Sequence, residues 1–345
     1  MKIALCVEHH YPGYGGPYTA VSDTAYHLYK SNVGIKLIYE NNGHSIIRRN
    51  YHEIFQNVDL IHAFGIWTPS HYRVFRSAKK RKKKIIISPL GATEPWAMKQ
   101  KKIKKEMAWY LYQKRILQNC SYLHATSDLE KRHLIELGIT TPIRVIPHGI
   151  KISKLSKKKI NKKIKKALFF SRIHEKKGLL ELVESWKEVN NTDWILEIYG
   201  PISDQKYLQT VINTIKKYNL ERCIKIYKPY FDKKKKEEIL KSADCFLLPS
   251  KSENFGMSII EALSYGLPVL TTTGTPWKKL EELNAGIIFE FSKNNLTKNL
   301  RKILNMSSAE LLLMGEVGKN FIKKHYDLED VIHQYVDFYK EVLDK

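Results

Sequence analysis

The sequence predicts an α/β protein of two Rossmann-like domains, each built on a doubly wound parallel sheet. Short apolar runs of strand length alternate with longer segments in which apolar residues recur at helical spacing. This alternation stops at a lysine-rich stretch, residues 151–166, and then starts again. At 345 residues the chain is long enough for two such domains. We expect them at residues 1–150 and 167–326, joined by a basic linker and facing each other across a cleft.

The strand candidates are short apolar runs bounded by polar or turn residues. In the first half they are residues 2–7, 35–39, 60–62, 84–88, 122–125 and 144–146. Helical patterns between them cover residues 18–31, 70–78, 99–118 and 128–137. In the second half the strands are residues 167–171, 194–199, 224–227, 245–248, 269–272 and 287–289, again with helices between them. We expect the last segment, 327–345, to form a helix that packs back toward the first domain.

The charge is strongly positive, with 59 Lys and Arg against 35 Asp and Glu and a formal net charge of +24. A field of this sign attracts anionic surfaces. No RNA-recognition, KH or helix-turn-helix pattern is present, so we expect no nucleic-acid partner and favour an anionic membrane surface. A basic nucleic-acid-binding protein is the less favoured alternative. The excess charge lies mainly in blocks at residues 79–84, 99–105, 154–166 and 233–236.

The cysteines and the chain's apolar runs indicate a compartment. The four cysteines have no spacing typical of a metal or redox pair. No apolar run approaches the roughly 18 residues that a membrane-spanning helix needs, and residues 2–7 start as a strand rather than as a secretory leader. We therefore expect a cytoplasmic protein that associates peripherally with the inner face of the cytoplasmic membrane.

Residues 250–269 (SKSENFGMSIIEALSYGLPV) hold two carboxylates, Glu253 and Glu261, eight positions apart around a strand-to-helix turn. Ligands of open α/β sheets bind beyond the carboxyl ends of the strands, and free N–H groups at a helix start attract phosphate. Glu261, about one helical turn further along, suits the acceptance of two hydrogen bonds from a ribose diol. The N–H groups at the helix start belong to Phe255, Gly256 and Met257.

Two basic residues follow the first strand of the second domain. Arg172 and Lys177 lie five positions apart before Gly178, which opens a helical pattern. An Arg fork and a Lys point charge at a strand end can clamp a diphosphate from two directions. The alternative for Arg172 and Lys177 is that they are ordinary surface cations. The alternative for Glu253 and Glu261 is that they only complement the helix dipole. A hydrolase with paired carboxylates is a further alternative for the glutamates, and the upstream cations favour nucleotide binding instead.

Gly15 and Gly16 lie in a glycine-rich turn after the first strand (YPGYGGPY, residues 11–18). The turn precedes a helix and would let the backbone approach a phosphate. It does not satisfy the dinucleotide fingerprint, because Tyr18 occupies the place of the last glycine. An ordinary loop and a ligand-approach loop are equally compatible with the pattern.

Along the chain the motifs follow in the order Gly15-Gly16, residues 146–150, residues 171–178, and Glu253 to Glu261 with residues 266–269. This order resembles that of the retaining glycosyltransferases of family 4, which have the GT-B fold. The likeness covers nearly the whole chain. A narrower likeness, to bacterial members that build lipopolysaccharide O-antigen or capsule, rests on residues 59–67, 88–97, 123–130 and 274–277. The sequence departs from those relatives at three positions. Phe64, Leu90 and His148 stand where they carry His, Arg and Asn.

The resemblance implies a retaining transferase that moves a hexose or N-acetylhexosamine from a UDP- or GDP-linked donor to a lipid-linked surface glycan. It implies no further cofactor and no metal, and no Asp-x-Asp motif is present. The nearest pattern, Asp128 to Glu130, is better explained as a helix start. A nucleotide-sugar epimerase of related fold is the alternative enzyme.

The resemblance also implies roles for the donor-side residues. Arg172 and Lys177 would stabilise the leaving diphosphate. Glu261 would hold the ribose, and Glu253, with Asn254 close by, would contact hydroxyls of the donor sugar. Gly200, after the strand at 194–199, completes the expected donor set.

With Phe64 at the family's histidine position, His62 and His124 are the remaining candidates for an acceptor-side catalytic histidine. A buried histidine hydrogen-bonded within the sheet edge is the alternative for each.

The helix predicted over residues 94–118 mixes apolar side chains with lysines. Helical apolar stripes usually face a core, which is the favoured interpretation. The alternative is an interfacial face that docks the first domain on anionic lipid.

Overall fold

The computed structural model describes residues 1–9, 16–41, 51–152, 164–190, 192–227 and 232–345. It divides into two compact units. Unit 1 comprises Met1–Gly149 together with Leu328–Lys345, and unit 2 comprises Ile150–Asp327. Each unit contains one six-stranded sheet in which all paired strands are parallel.

The sheet of unit 1 has the strand order β2-β1-β3-β4-β5-β6. Its strands are β1 (Lys2–His9), β2 (Gly34–Asn41), β3 (Leu60–Phe64), β4 (Lys84–Ser88), β5 (Tyr122–Ala125) and β6 (Ile143–Val145). The helices between them are α1 (Gly16–Lys30), α2 (Tyr51–Ile54), α3 (Pro69–Lys80), α4 (Pro95–Lys99), α5 (Lys102–Ala108), α6 (Lys114–Gln118) and α7 (Asp128–Glu136).

The sheet of unit 2 has the strand order β12-β11-β10-β7-β8-β9. Its strands are β7 (Lys165–Phe170), β8 (Trp194–Tyr199), β9 (Ile224–Ile226), β10 (Cys245–Leu248), β11 (Val269–Thr272) and β12 (Gly286–Phe289). Its helices are α8 (Leu179–Val189), α9 (Gln205–Lys217), α10 (Lys233–Ser242), α11 (Met257–Ser264), α12 (Lys279–Glu282), α13 (Lys293–Leu304) and α14 (Ser308–His325). The last helix, α15 (Leu328–Asp344), belongs to unit 1.

The predicted fold class is confirmed: both sheets are parallel and doubly wound, and their central strands are buried on both faces. The strands β3, β10 and β11 are buried along their whole length, as expected when helices cover both faces of a parallel sheet. The interpretation of Asp128 as a helix start is also confirmed. It begins α7, and the side chain of Ser127 caps that helix by accepting a hydrogen bond from the Glu130 N–H.

The helix predicted over residues 94–118 is interrupted. Helix α4 ends before Gln100, Lys101 adopts a left-handed backbone conformation with φ of 52°, and α5 then begins. A π-helical turn, Trp109–Gln113, joins α5 to α6. Within the described part of the chain, no helix is long and apolar enough to cross a membrane.

Helix α15 packs one face against the sheet of unit 1. Its buried side chains recur at helical spacing and join the same core as strands β1 and β3. They are Val331, Ile332, Tyr335, Phe338, Tyr339 and Val342.

A chain of buried hydrogen bonds links α15 to three strands. His62 Nδ1 lies 2.9 Å from the Tyr339 hydroxyl and His62 Nε2 lies 2.7 Å from Ser88 Oγ. Ser88 Oγ lies 2.6 Å from His124 Nδ1, and His124 Nε2 lies 2.8 Å from the Ile146 carbonyl oxygen. A carbonyl oxygen only accepts, so His124 Nε2 carries the hydrogen. The direction of every other bond follows: Ser88 donates to His124, His62 donates to Ser88, and Tyr339 donates to His62.

This arrangement requires neutral imidazoles. Burial, and then the neighbouring His124, hold the pKa of His62 well below its ordinary value. Burial lowers the pKa of His124 to about 4, although the Ile146 carbonyl opposes the shift. Burial, followed by the effect of His124, lowers the pKa of His148 to about 3. In this series of hydrogen bonds His62 and His124 each donate from one ring nitrogen and accept at the other. A protonated imidazole carries a hydrogen on both nitrogens and could no longer accept.

We therefore predict that acid destabilises the protein through these histidines. Below their unfolded pKa of 6.5 the unfolded chain binds protons that the folded chain does not, so the free energy of unfolding falls as the pH falls toward 4. Each histidine contributes a slope of about 1.4 kcal/mol per pH unit in the middle of that window. Urea denaturation at pH 4.5 to 7 measures the slope.

His148→Asn supplies the control, because it removes one such histidine. Its slope between pH 4.5 and 6 should be smaller than that of the wild type by one histidine's contribution. Equal slopes for the two proteins would show that the folded state protonates His148 as readily as the unfolded chain does.

Candidate functional site

The strand order of unit 2 creates a switch point between β7 and β10. These strands are neighbours, with Cys245 beside Ala167 and Phe246 beside Leu168. The chain proceeds from β7 toward β8 on one side and from β10 toward β11 on the other. The connections that follow β7 and β10 therefore lead to opposite sides of the sheet, and a crevice at the carboxyl ends of such strands is where open α/β sheets bind ligands. Arg172, Lys177 and Glu253 all lie on these two loops.

The two loops touch at a position that only glycine can occupy. Gly178, which follows a 3-10 turn at Glu175–Lys177, has φ of +68°, and a Cβ added there would lie 2.2 Å from the carbonyl oxygen of Pro249. The backbone N–H of Lys251 donates to the Lys176 carbonyl at 2.8 Å. The β7 and β10 loops are therefore joined backbone to backbone.

A third loop, after β11, completes the support. The Glu253 N–H donates to the Gly274 carbonyl at 2.8 Å. The Trp277 indole N–H donates to the Phe255 carbonyl at 2.6 Å, and the two rings meet edge to face at 5.4 Å. Phe255 and Trp277 are both buried. These contacts fix the segment that leads into α11, where Gly256 and then Met257 start the helix.

Lys177 and Glu253 form a buried ion pair between the two loops. The Lys177 ammonium donates a hydrogen bond to Glu253 Oε1. Only 7% of Lys177 and 8% of Glu253 is exposed. Burial alone would raise the pKa of the Glu253 carboxyl, but the charge and hydrogen bond of Lys177, assisted by Lys176, hold this pKa below its ordinary value. Glu253 is therefore ionised and acts as a hydrogen-bond acceptor.

Arg172 lies at the start of the same β7 loop with an exposed side chain. Among the described residues its guanidinium makes no hydrogen bond or ion pair, so it is available to an anionic ligand. Lys177 likewise engages only Glu253 within that part of the chain, which leaves two of its three N–H groups for a second acceptor.

Gly200 supports the loop that carries Arg172. It follows β8, and a Cβ added there would lie 1.7 Å from the Ser171 carbonyl oxygen. The Ser171 N–H donates to the Tyr199 carbonyl at 3.1 Å. Gly200 is thus required by this close packing against Ser171, and the predicted contact of Gly200 with the donor stays a prediction.

Glu261 has a different partner from Glu253. It lies in the second turn of α11 with its side chain 22% exposed, and Oε1 accepts a hydrogen bond from Lys236 Nζ at 2.5 Å. Lys236 is the last of four consecutive lysines, and their sequence does not indicate which one faces a carboxylate. Each glutamate is therefore ion-paired with its own lysine. Because the pKa of Glu253 is lowered, this glutamate does not suit the general-acid role that a hydrolase would need.

The other predicted site residues lie elsewhere or outside the described part of the chain. Asn254 is half-buried beside Glu253. Gly15 lies outside the described residues, and Gly16 is the first residue of α1. His62 and His124 are completely buried in unit 1, with both ring nitrogens hydrogen-bonded. This placement favours the interpretation of both as interior histidines of the sheet.

No group of three or more His, Cys, Asp or Glu side chains suited to holding a metal ion occurs among the residues that the structure describes.

Comparison with known proteins identifies the family. The model for glycosyl transferases group 1 matches residues 151–323, and the model for glycosyltransferase family 4 matches residues 17–154. An uncharacterized 41.2 kDa protein in the cps region of Klebsiella pneumoniae is 23% identical over 305 residues, which cover 83% of this chain and 80% of that protein.

Two further proteins are similar to this chain, one over about half of its length and one over nearly all of it. The amylovoran biosynthesis glycosyltransferase AmsD of Erwinia amylovora is 31% identical over 177 residues, which cover 48% of each chain. The structure of Anabaena Alr3699/HepE in complex with UDP-glucose superposes with a TM-score of 0.80 at 16% identity, covering 99% of this chain and 100% of that one. The match confirms the expected GT-B fold. The chain belongs to the group 1 glycosyltransferases, and its first half matches the model for glycosyltransferase family 4.

Proposed function

We propose that this protein is a retaining, metal-independent glycosyltransferase that moves a hexose or N-acetylhexosamine from a UDP- or GDP-linked donor to a lipid-linked surface glycan. The observation that carries the proposal is the buried Lys177–Glu253 pair at the switch point of unit 2. It places a cation with unused N–H groups next to an ionised acceptor, at the sheet edge where nucleotides bind in this class of fold.

The cations suit the leaving group. When the bond between the sugar and the diphosphate breaks, negative charge develops on the phosphate oxygens. Lys177 and the exposed Arg172 would stabilise that charge, and the N–H groups at the start of α11 would add to it. Lys177 and the start of α11 are held by contacts before the donor binds, so they need little rearrangement during the reaction.

The lowered pKa of Glu253 suits a contact with the sugar rather than proton transfer. An ionised carboxylate can accept hydrogen bonds from two sugar hydroxyls while it remains paired with Lys177. The similarity to HepE, whose structure contains UDP-glucose, supports a nucleotide-sugar donor. The similarities to AmsD and to the protein from the cps region support a polysaccharide acceptor.

A docking surface on unit 1 supports an acceptor embedded in a membrane. Four large apolar side chains at positions i, i+4, i+7 and i+8 point away from the protein along α5 and the π-helical turn. They are Ile103 (74% exposed), Met107 (59%), Tyr110 (80%) and Leu111 (74%). On the opposite side, Trp109 and Gln113 are buried, and Gln113 accepts a hydrogen bond from the Trp67 N–H at 3.1 Å. One face of this helical segment is thus packed against unit 1, and the opposite face is exposed to solvent.

The charge around this apolar stripe favours an anionic bilayer as its occupant. Residues 99–111 contain a single acid, Glu106. The lysines that flank the stripe with exposed side chains are Lys99, Lys101, Lys102 and Lys104. Lysines beside inserted apolar side chains are the pattern by which helices lie in the surface of anionic membranes. We place the enzyme at the inner face of the cytoplasmic membrane on this basis.

We predict that UDP or GDP and their sugars raise the melting temperature, and that Glu261→Ala abolishes this rise while the unliganded variant stays folded. A ligand that binds only the folded state stabilises it by mass action, about 2.7 kcal/mol at a hundredfold excess over Kd. Glu282→Ala, which removes a surface carboxylate from α12, is the control and should respond as the wild type does. Normal nucleotide responses in Glu261→Ala would refute the assignment of this residue to the ribose.

The nucleotide sugar that stabilises the protein should then be turned over only when a lipid-linked acceptor is present. The product should keep the donor's anomeric configuration by proton NMR, with and without EDTA. Conversion of the donor sugar in the absence of acceptor would instead indicate an epimerase.

We also predict that the protein binds, and sediments with, vesicles of phosphatidylglycerol and phosphatidylcholine at physiological salt. The double variant Ile103→Ser/Leu111→Ser should bind these vesicles more than tenfold more weakly. Each substitution removes roughly 1–2 kcal/mol of apolar transfer energy. Leu313→Ser, which alters a 64% exposed leucine on α14, is the matched control and should bind normally. Equal sedimentation with vesicles of phosphatidylcholine alone, or normal binding by the double variant, would contradict this docking surface.

A further inference from the structure

We infer that Lys236 is a positioning residue, which holds the carboxylate of Glu261 in place for the ribose of the donor. The inference rests on the proposed function, since it assigns a second residue to the nucleotide site. Lys236 lies on α10 and Glu261 lies on α11, and their side chains meet with Nζ 2.5 Å from Oε1. The pair joins two helices whose paired residues are 25 positions apart in the sequence.

The neighbouring lysines of α10 do something different. Lys235 pairs with Glu238 and Lys241 pairs with Glu237, each within its own helix. Both side chains of the Lys235–Glu238 pair are largely exposed, at 47% and 66%. Exposed pairs of this kind contribute little to stability. The Lys236–Glu261 pair differs because it is half-buried and reaches a second helix.

An aromatic ring holds Lys236 from its other side. The ammonium lies 5.4 Å from the ring centroid of Phe170, the last residue of β7. A cation at this distance from a ring is attracted to it. Lys236 is therefore held between a ring and a carboxylate, and its position is set by the strand that also leads to Arg172.

Phe170 is itself part of a stack along the sheet edge. Its ring stacks on Tyr199 at 6.0 Å and 20°, and Tyr199 stacks on Tyr227 at 4.6 Å and 7°. These residues lie at or just beyond the carboxyl ends of β7, β8 and β9. The stack fixes the Phe170 ring, which in turn fixes the ammonium of Lys236.

The Glu261 carboxylate can still accept the two hydrogen bonds that a ribose diol donates. A carboxylate offers about four lone-pair positions, and Lys236 occupies one of them, on Oε1. The remaining positions suffice for the two hydroxyls of a ribose. By fixing the side-chain torsions of Glu261 before the nucleotide arrives, Lys236 removes part of the ordering cost from the binding step.

The test compares UDP and GDP with their 2′,3′-dideoxy analogues by isothermal titration calorimetry. For whichever base the wild type binds, the ribonucleotide should bind more tightly than the dideoxy form. Lys236→Met should bind the ribonucleotide roughly tenfold more weakly, a change of about 1.4 kcal/mol. It should bind the dideoxy form as the wild type does. Lys236→Arg, which keeps the charge, should recover most of the preference.

Lys235→Met is the matched control, because it removes a lysine from the adjacent position of the same helix and should leave both affinities unchanged. If Lys236→Met weakens both nucleotides equally, its effect is not on the diol and the inference is overturned. If Lys236→Met behaves like Lys235→Met, the inference is likewise overturned while the proposed function stands. A wild type that binds neither ribonucleotide would overturn the proposed function and the inference together.

Discussion

The buried ion pair between Lys177 and Glu253 is the interaction on which the candidate site depends. Two charges that leave water are costly unless each finds its partner in good geometry. That geometry exists only because the β7 and β10 loops are joined at Gly178 and because the Glu253 N–H is bonded to Gly274. The loops therefore position the pair, and the pair in turn requires the loops to stay together. A site of this kind is organised before any ligand binds.

The two units use buried polar groups in different ways. In unit 1, His62, Ser88 and His124 form a neutral chain whose donors and acceptors match in one direction only, and it ties α15 to the sheet. In unit 2 the buried groups are charged and lie at the sheet edge. The neutral chain suits a structural role, whereas the charged pair retains N–H groups for a ligand. The candidate site therefore lies in unit 2, whereas the buried histidines of unit 1 help to attach the C-terminal helix.

The sequence was sufficient for features with a local signal. Strands β4, β5, β8, β10 and β11 match their predicted bounds, because short apolar runs between polar residues have few alternatives. It could not show that α5 and the π-helical turn present Ile103 and Leu111 while burying Trp109, since an apolar stripe has the same spacing whether it faces a core or not. It could not single out Lys236 either, because the partner that distinguishes this lysine from its neighbours lies on another helix.

We propose that the Lys177–Glu253 pair is the electrostatic centre of a nucleotide diphosphate site. The double variant Lys177→Met/Glu253→Gln tests it most directly, because it removes both charges together and leaves no buried charge unpaired. Calorimetry should show the nucleoside diphosphate bound at least roughly thirtyfold more weakly, as expected for the loss of a charge-assisted hydrogen bond. The corresponding nucleoside should bind as it does to the wild type. Unchanged affinity for the diphosphate in a folded double variant would contradict the account.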